Sequence, residues 1–332
     1  METAIKVEHL KKYYKEVKAV DDINFQVTKG ELFGFLGVNG AGKSTTINML
    51  CTLQEPTKGR AWINGLELGK ENEEIKKHIG VVYQNNCLDK LLTVKENLLF
   101  HGSLYEKDRQ KLNKNLAYVT EILGLEDVLK RPFGKLSGGQ KRKSEIARAL
   151  MHKPDILFLD EPTTGLDPAT RKNVWQTVHF LQKEIGMTVF LTTHYMEEAA
   201  KADHIGIMDQ GHFVEYGTPF SLKETYAKDK LYLIPKIEKI EEVKSYLIAN
   251  HLEYSMKKED IVTNSNSKLS CQRVEGIKNQ SVETCIFIVW VDNTLAALPL
   301  LQDIKQMIQG FEMIQGTMED VFLKVTEKES EK

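Results

Sequence analysis

The apolar positions change period several times along the chain. From Ile5 to about Val27 they alternate with polar ones in β-branched stretches ("AIKVEHL", "INFQVT"), which predicts strands of a partly exposed sheet. "ELFGFLG" is almost wholly apolar and reads as a buried strand running straight into a glycine loop. After Lys43, "STTINMLCTL" takes helical spacing and stops near Pro56 and Gly59, giving strand, loop, helix. Between Leu91 and Lys135 the apolar residues Val94, Leu98, Leu112, Leu116, Val119 and Leu123 recur at helical spacing, so a helical insertion over about residues 88–138 is expected. "DILFLD", "TVFLTTH" and "HIGIMDQ" then restore an alternation of strand and helix, the order of a parallel or mixed sheet flanked by helices.

Beyond Gly217 and Pro219 the glycine loops end. "KLYLIP", "KIEEVKSYLIAN", "EYSMK", "DIVTN", "CIFIVWV", "LQDIKQMIQ" and "FEMIQG" predict a strand, a helix, further strands, a second helix and a last strand, with Pro299 leaving the start of the second helix open. The boundary falls near residue 220, separating residues 1–220 from a small α+β domain over 221–332.

Composition narrows the function classes. The chain has 332 residues, 41% hydrophobic and 28% charged, enough for one large domain and a small one. A net charge of −2 supplies no overall basic field for nucleic acid or anionic lipid. Cys51, Cys87, Cys271 and Cys285 are scattered with no C-x-x-C pair, which points away from a zinc site or disulfide framework and towards a reduced compartment. The amino terminus lacks the apolar core of a signal peptide, and "CIFIVWV" is too short to span a bilayer. A role at a membrane therefore calls for a partner.

Four stretches carry chemistry. "GVNGAGKST", Gly37 to Thr45, fits the phosphate-loop pattern G-x-x-x-x-G-K-[ST] between a strand and a helix. Gly40 and Gly42 let backbone N–H groups turn towards phosphate oxygens, Lys43 adds charge at the β and γ phosphates, and Ser44 offers a hydroxyl to Mg²⁺. "DILFLDEP" brings Asp160 and Glu161 to the carboxyl end of a strand, Asp160 suited to hold the metal through water and Glu161 to act as base on the attacking water. "TTHYMEEA" places His194 at the end of another strand, where contact with the γ phosphate fits better than zinc ligation. "LSGGQKRKSEIARAL" opens a second helix with a Ser-Gly-Gly turn, and its Lys141, Arg142 and Lys143 read as a solvated helix face near phosphates.

Taken in order, Gly37 to Thr45, Gln84, "LSGGQ" at Leu136 to Gln140, "LFLDEP", "GLDP" at Gly165 to Pro168 and His194 resemble the Walker A loop, Q-loop, signature, Walker B strand, D-loop and switch histidine of ATP-binding-cassette (ABC) ATPases. The similarity runs from about Val7 to Gly217. It implies an α/β fold: a phosphate-loop NTPase core with an N-terminal antiparallel β subdomain and a helical insertion, plus the C-terminal α+β domain. It further implies that Tyr13 stacks on adenine and that Gly37, Asn39, Gly40, Ala41, Gly42, Lys43, Ser44 and Thr45 hold the nucleotide. Ser44, Gln84 and Asp160 would serve Mg²⁺, and Glu161 and His194 catalysis. In that family two cassettes pair head to tail, so Ser137, Gly138, Gly139 and Gln140 would cap ATP held by a second copy and Asp167 would cross the interface. Val38, Tyr14 and Tyr83 depart from the usual proline, glycine and proline, and none of these changes removes a phosphate, metal or base group.

The resemblance implies ATP and Mg²⁺ as ligands, a homodimer, and a separately encoded integral membrane permease that keeps this cytoplasmic subunit at the inner face of the membrane, with no nucleic acid as partner. "GTMEDVFLKVTE" near the end is similar to cassettes of ABC-2 type exporters, which handle drugs, antibiotics, polysaccharides or lipids. Two rival readings are a soluble cassette ATPase acting on ribosomes or DNA, and a regulator that binds nucleotide without hydrolysis. The single cassette and short helical insertion weigh against the first, Glu161 and His194 against the second.

Overall fold

The computed structural model describes residues 2–261 and 282–330. The chain forms two compact units, Met1–Pro219 with Val325–Lys332, and Phe220–Lys324.

In the first unit, β1 (Thr3–Tyr14) and β2 (Val17–Thr28) form a hairpin, and the buried β3 (Leu32–Leu36) leads through the glycine loop into α1 (Lys43–Leu50). There follow β4 (Lys58–Ile63), β5 (Leu66–Glu67), α2 (Asn72–His78) and β6 (Ile79–Val82). The helical insertion holds α3 (Val94–Gly102) and α4 (Arg109–Leu123) and ends at α5 (Gly138–Leu150). Then come β7 (Ile156–Asp160), α6 (Pro168–Lys183), β8 (Thr188–Thr193), α7 (Met196–Ala199), β9 (His204–Asp209) and β10 (His212–Gly217).

Two sheets result. One is antiparallel with order β2-β1-β4-β5; the other has order β10-β9-β3-β8-β7-β6, parallel from β9 to β6 with β10 antiparallel at its edge. Aromatic packing joins them, because Phe25 of β2 stacks on Phe33 of β3 at 5.5 Å between ring centroids and on Phe213 of β10 at 5.4 Å. Such pairs add about 0.5–1.5 kcal/mol each beyond their buried area.

Local chemistry fixes the helix ends. Thr93 and Glu96 form a reciprocal capping box at the start of α3, and α4 ends at Gly124, whose φ of 61° is left-handed. Three features differ from the sequence-based expectation. Helix α1 stops at Leu50, well before Pro56, because the chain turns through Thr52 at φ 63°. Strand β6 is only four residues long, and its Gly80 packs where a Cβ would lie 2.6 Å from the Ala149 carbonyl, so it gave little periodic signal. Strand β10 is reached through the Gln210–Gly211 turn and is half-exposed.

Past α8 (Pro219–Tyr226), the second unit contains β11 (Asp229–Pro235), α9 (Ile240–Ala249), β12 (Tyr254–Ile261), β13 (Val282–Val291), α10 (Ala297–Ile304) and β14 (Ile308–Ile314), with α11 (Met318–Ser330) beginning after them. The antiparallel order β12-β13-β11-β14 makes this a split β-α-β arrangement. Its core gathers Leu231, Leu233, Val243, Leu247, Phe287 and Val289. Helix α10 begins earlier and ends earlier than "LQDIKQMIQ" predicts. Pro299 is accommodated in its first turn, where its missing N–H costs nothing, and Ile308 already belongs to β14. Only Asp260 and Ile261 of the expected strand "DIVTN" are described, as the end of β12; the remainder, and Cys271, lie outside the described residues. Among the described residues no helix is long and apolar enough to cross a membrane.

Candidate active site

The glycine loop sits at the carboxyl end of β3. Gly42 caps α1 at φ 109°, and a Cβ there would meet the Ala19 carbonyl at 2.3 Å; at Gly37 it would meet the Met208 carbonyl at 2.4 Å. Only glycine lets the loop close in this way. Lys43 is buried, and its Nζ donates to the carbonyls of Gly37 at 2.7 Å and Val38 at 3.0 Å, so the cation is held inside the loop it serves. Burial lowers its pKa, opposed by the carboxylates of Glu161 and Asp160. Asn39, Gly40 and Ser44 are exposed around it, Thr45 is half-exposed and Ala41 is buried.

Strands β7 and β8 deliver the acidic and imidazole groups. Asp160 Oδ1 accepts from Thr192 Oγ1 at 2.6 Å, and the Glu161 backbone N–H donates to the same hydroxyl oxygen at 3.0 Å. Glu161 has a φ of 44°, a left-handed conformation rare for a residue with a side chain and costing about 1–3 kcal/mol unless its surroundings impose it. Its carboxylate is the centre of the cluster: Lys43 Nζ at 4.0 Å, Gln84 Nε2 donating at 3.2 Å and Thr164 Oγ1 donating at 3.1 Å. His194 Nδ1 lies 3.3 Å from Glu161 Oε1 but out of line for a hydrogen bond, so this buried nitrogen is close to charge without a hydrogen-bonding partner. Lys43, Gln84, Asp160, Glu161 and His194 thus converge from four separate segments.

The second anion-facing helix stands apart. Ser137 caps α5, accepting from the Gln140 N–H at 3.3 Å while its own N–H donates to Gln140 Oε1 at 3.1 Å. Ser137 and Gly138 are exposed, and among the described residues no hydrogen bond or ion pair joins Ser137–Gln140 to Gly37–Thr45. Asp167 caps α6 by accepting from Ala169 and Thr170 N–H groups, with Pro168 in the first turn, and its pKa is lowered first by the Thr170 side chain and then by the Thr170 N–H.

The basic run after the signature is not a solvated face. Arg142 is 5% exposed and donates to the Tyr83 carbonyl at 2.6 Å and the Asp160 carbonyl at 3.4 Å, burial bringing its pKa to about 10. Lys143 donates to the Leu123 carbonyl. One turn on, the buried Glu145 accepts from the N–H groups of Cys87 and Leu88, and Arg148 donates to Glu145 and to the Val81 carbonyl. Sequence reasoning missed this group because charge on a helix is usually solvent-facing; a carboxylate three residues after an arginine and three before another was the available signal.

Tyr13 is half-buried, its hydroxyl donating to Asp21 Oδ1 at 2.5 Å and Lys18 Nζ lying 5.8 Å from its ring centroid. Tyr14 is more exposed and donates to Gln54. Asp21 is tied to the glycine loop in turn, since its N–H donates to the Gly211 carbonyl and the Gly211 N–H to the Ala41 carbonyl.

The residues fit a magnesium nucleotide. The loop presents backbone donors and a cation for phosphates, and Ser44, Gln84 and Asp160 supply only hard oxygen donors, the set that suits Mg²⁺. Beside this site, Leu53, Tyr83, His101, Leu104, Tyr105 and Arg148 line a groove of about 210 Å³, with Leu53 and Leu104 exposed.

The model of the ABC transporter family matches residues 20–164. Over 229 residues the chain is 40% identical to the probable multidrug ABC transporter ATP-binding protein YbhF of Escherichia coli (strain K12), covering 69% of this chain and 39% of that protein. It thus spans about two-fifths of that relative. The linearmycin resistance ATP-binding protein LnrL of Bacillus subtilis (strain 168) is 44% identical over 219 residues, 66% of this chain and 70% of the relative. Among solved structures, cbiO1 from Clostridium perfringens, described as part of an ABC transporter complex, matches with a TM-score of 0.63 at 26% identity, covering 75% of this chain and 96% of the other. A dimeric ATP-binding cassette in a post-hydrolysis state with ADP and Pi matches with a TM-score of 0.59 at 28% identity, covering 65% and 98%.

Proposed function

Because the chain belongs to the ATP-binding-cassette transporter family, we propose that it hydrolyses ATP as the motor subunit of an exporter, working as a head-to-tail pair of copies on a separately encoded membrane permease. The observation that carries this reading is the carboxylate of Glu161, held within reach of Lys43, Gln84 and His194 at the mouth of the glycine loop.

Glu161 orients the attacking water and takes its proton on a carboxylate oxygen, a role worth about 10²–10⁴ in rate. Lys43 and the loop N–H groups bind the β and γ phosphates, and His194 faces the charge that develops on the γ phosphate. Ser44, Gln84 and Asp160 would hold Mg²⁺, which would offset the negative charge of the phosphates. The N–H groups at the start of α5, beside the exposed Ser137 and Gly138, face the γ phosphate held by the second copy. ATP then stabilises only the closed pair, and hydrolysis removes that bias. The permease's cytoplasmic helices would occupy the mixed polar and apolar groove beside Tyr83 and Leu104, which would attach the subunit to the inner face of the membrane. The resistance and export names of several relatives favour the exporter class.

Light scattering after size exclusion, with phosphate release in parallel, tests the reading. With ATP and Mg²⁺, the Glu161→Gln variant is expected to accumulate as a dimer with little turnover, while wild type hydrolyses and pairs transiently. Normal turnover by Glu161→Gln would remove Glu161 as the base, and a variant that binds ATP but stays monomeric would remove the sandwich in the isolated subunit.

A further inference from the structure

We propose that Arg142 is a positioning residue for hydrolysis: its guanidinium fixes the two peptide planes that launch Glu161 and Gln84. The inference rests on the reading of Glu161 as the base.

The geometry is specific. The peptide between Asp160 and Glu161 is held at both poles, its carbonyl by Arg142 at 3.4 Å and its N–H by Thr192 Oγ1 at 3.0 Å. A left-handed non-glycine residue persists only where its surroundings over-determine it, and this double anchorage sits directly before the φ of 44° at Glu161. The other arm of the guanidinium holds the Tyr83 carbonyl at 2.6 Å, the peptide that leads into Gln84. Gln84 Nε2 and Glu161 Oε2 meet at 3.2 Å, so one planar group sets both halves of that contact. Glu145 and Arg148 extend the grip from the same helix, holding the chain at Val81, Cys87 and Leu88 on either side of Gln84. Spacings of three residues put all three side chains on one flank of α5. That helix begins at the signature turn, so the group meant for the partner's nucleotide and the brace of this chain's own base share one rigid element.

The test compares Arg142→Gln and Arg142→Lys with wild type in three measurements: kcat and KM for ATP, equilibrium binding of ATP, and thermal unfolding. Misplacing a catalytic group by about 1 Å costs on the order of 10²-fold. Arg142→Gln is therefore expected to lose about ten- to hundred-fold in kcat with ATP affinity retained, and Arg142→Lys, which keeps the charge and reaches one carbonyl, to fall between. On a Gln84→Ala background the Arg142→Gln factor should be smaller than in wild type, since part of its action runs through Gln84. If Arg142→Gln does not fold, Arg142→Lys carries the comparison. The proposal is overturned if both variants turn over like wild type, if the loss lies wholly in ATP affinity, or if the factors multiply independently of Gln84. Wild-type turnover by Glu161→Gln would instead sink the reading of the base, and an inactive Glu161→Gln beside active Arg142 variants would sink the positioning role alone.

Discussion

Asp21 shows how a single carboxylate can be legible as charge and illegible as function. Its pKa is held down to about 2, first by the hydrogen bond from the Tyr13 hydroxyl and then by Lys18, and the Tyr13 phenol is pushed up by the same bond. In an unfolded chain an aspartate titrates near 3.9. The depressed folded value means the pair contributes its full stability above about pH 4 and loses it as the pH falls towards 2. Urea midpoints of wild type and Asp21→Asn should therefore differ by a constant amount from neutrality to about pH 4 and converge below it. A gap that stays constant below pH 4 would show that this carboxylate is not what the Tyr13 ring is anchored to. The place of the glycine loop between a strand and a helix, and of Asp160 at a strand's carboxyl end, was readable from sequence because apolar runs and glycines mark those elements locally. Arg142 was not, because its two carbonyl partners lie 59 and 18 residues away and only the fold brings them to it.

At the scale of elements, α5 combines two tasks at its first turn. Ser137 closes a capping box with Gln140, worth about 0.5–2 kcal/mol, and it belongs to the turn proposed to cap the partner's ATP, where its exposed hydroxyl would add a donor to the N–H groups. Ser137→Ala and Gln140→Ala each break one arm of the box and should lower the melting temperature by similar amounts. In the Glu161→Gln background, Ser137→Ala should reduce ATP-dependent pairing well below Gln140→Ala, read by light scattering. Equal effects would mean that the hydroxyl acts through the cap alone. The long periodic helix α4 and the wholly buried strand β8 were legible because burial dictates apolar residues on one face of the first and along the whole of the second. β6 and β10 were not: the first is four residues long with a packed glycine inside it, and the second is half-exposed behind a tight turn. The α10 to β14 join slipped because "KQMIQ" supports either period, and the pairing of Ile308 with Pro235 decided it.

At the scale of the whole molecule, each unit carries its own core. Leu247, fully buried among Leu231, Val243 and Phe287, belongs to the second. Leu247→Ala is expected to cost that unit about 2–5 kcal/mol while leaving ATP affinity within about twofold, checked by denaturant unfolding beside nucleotide binding; a large loss of affinity would tie the second unit into the site. The sheet of the first unit bears on how the protein is made. Strand β3, which carries the phosphate loop, has β8 and β9 as its two neighbours, and its Leu32 N–H donates to Asp203, 171 residues further along. At about 5–20 residues per second, a ribosome needs on the order of ten to thirty seconds to supply that partner. For most of that interval the loop's strand has neither neighbour, so the nascent chain holds the glycine loop without the sheet that positions it. Nucleotide capture is thus a late event of synthesis, coming only after nearly the whole first unit has left the ribosome.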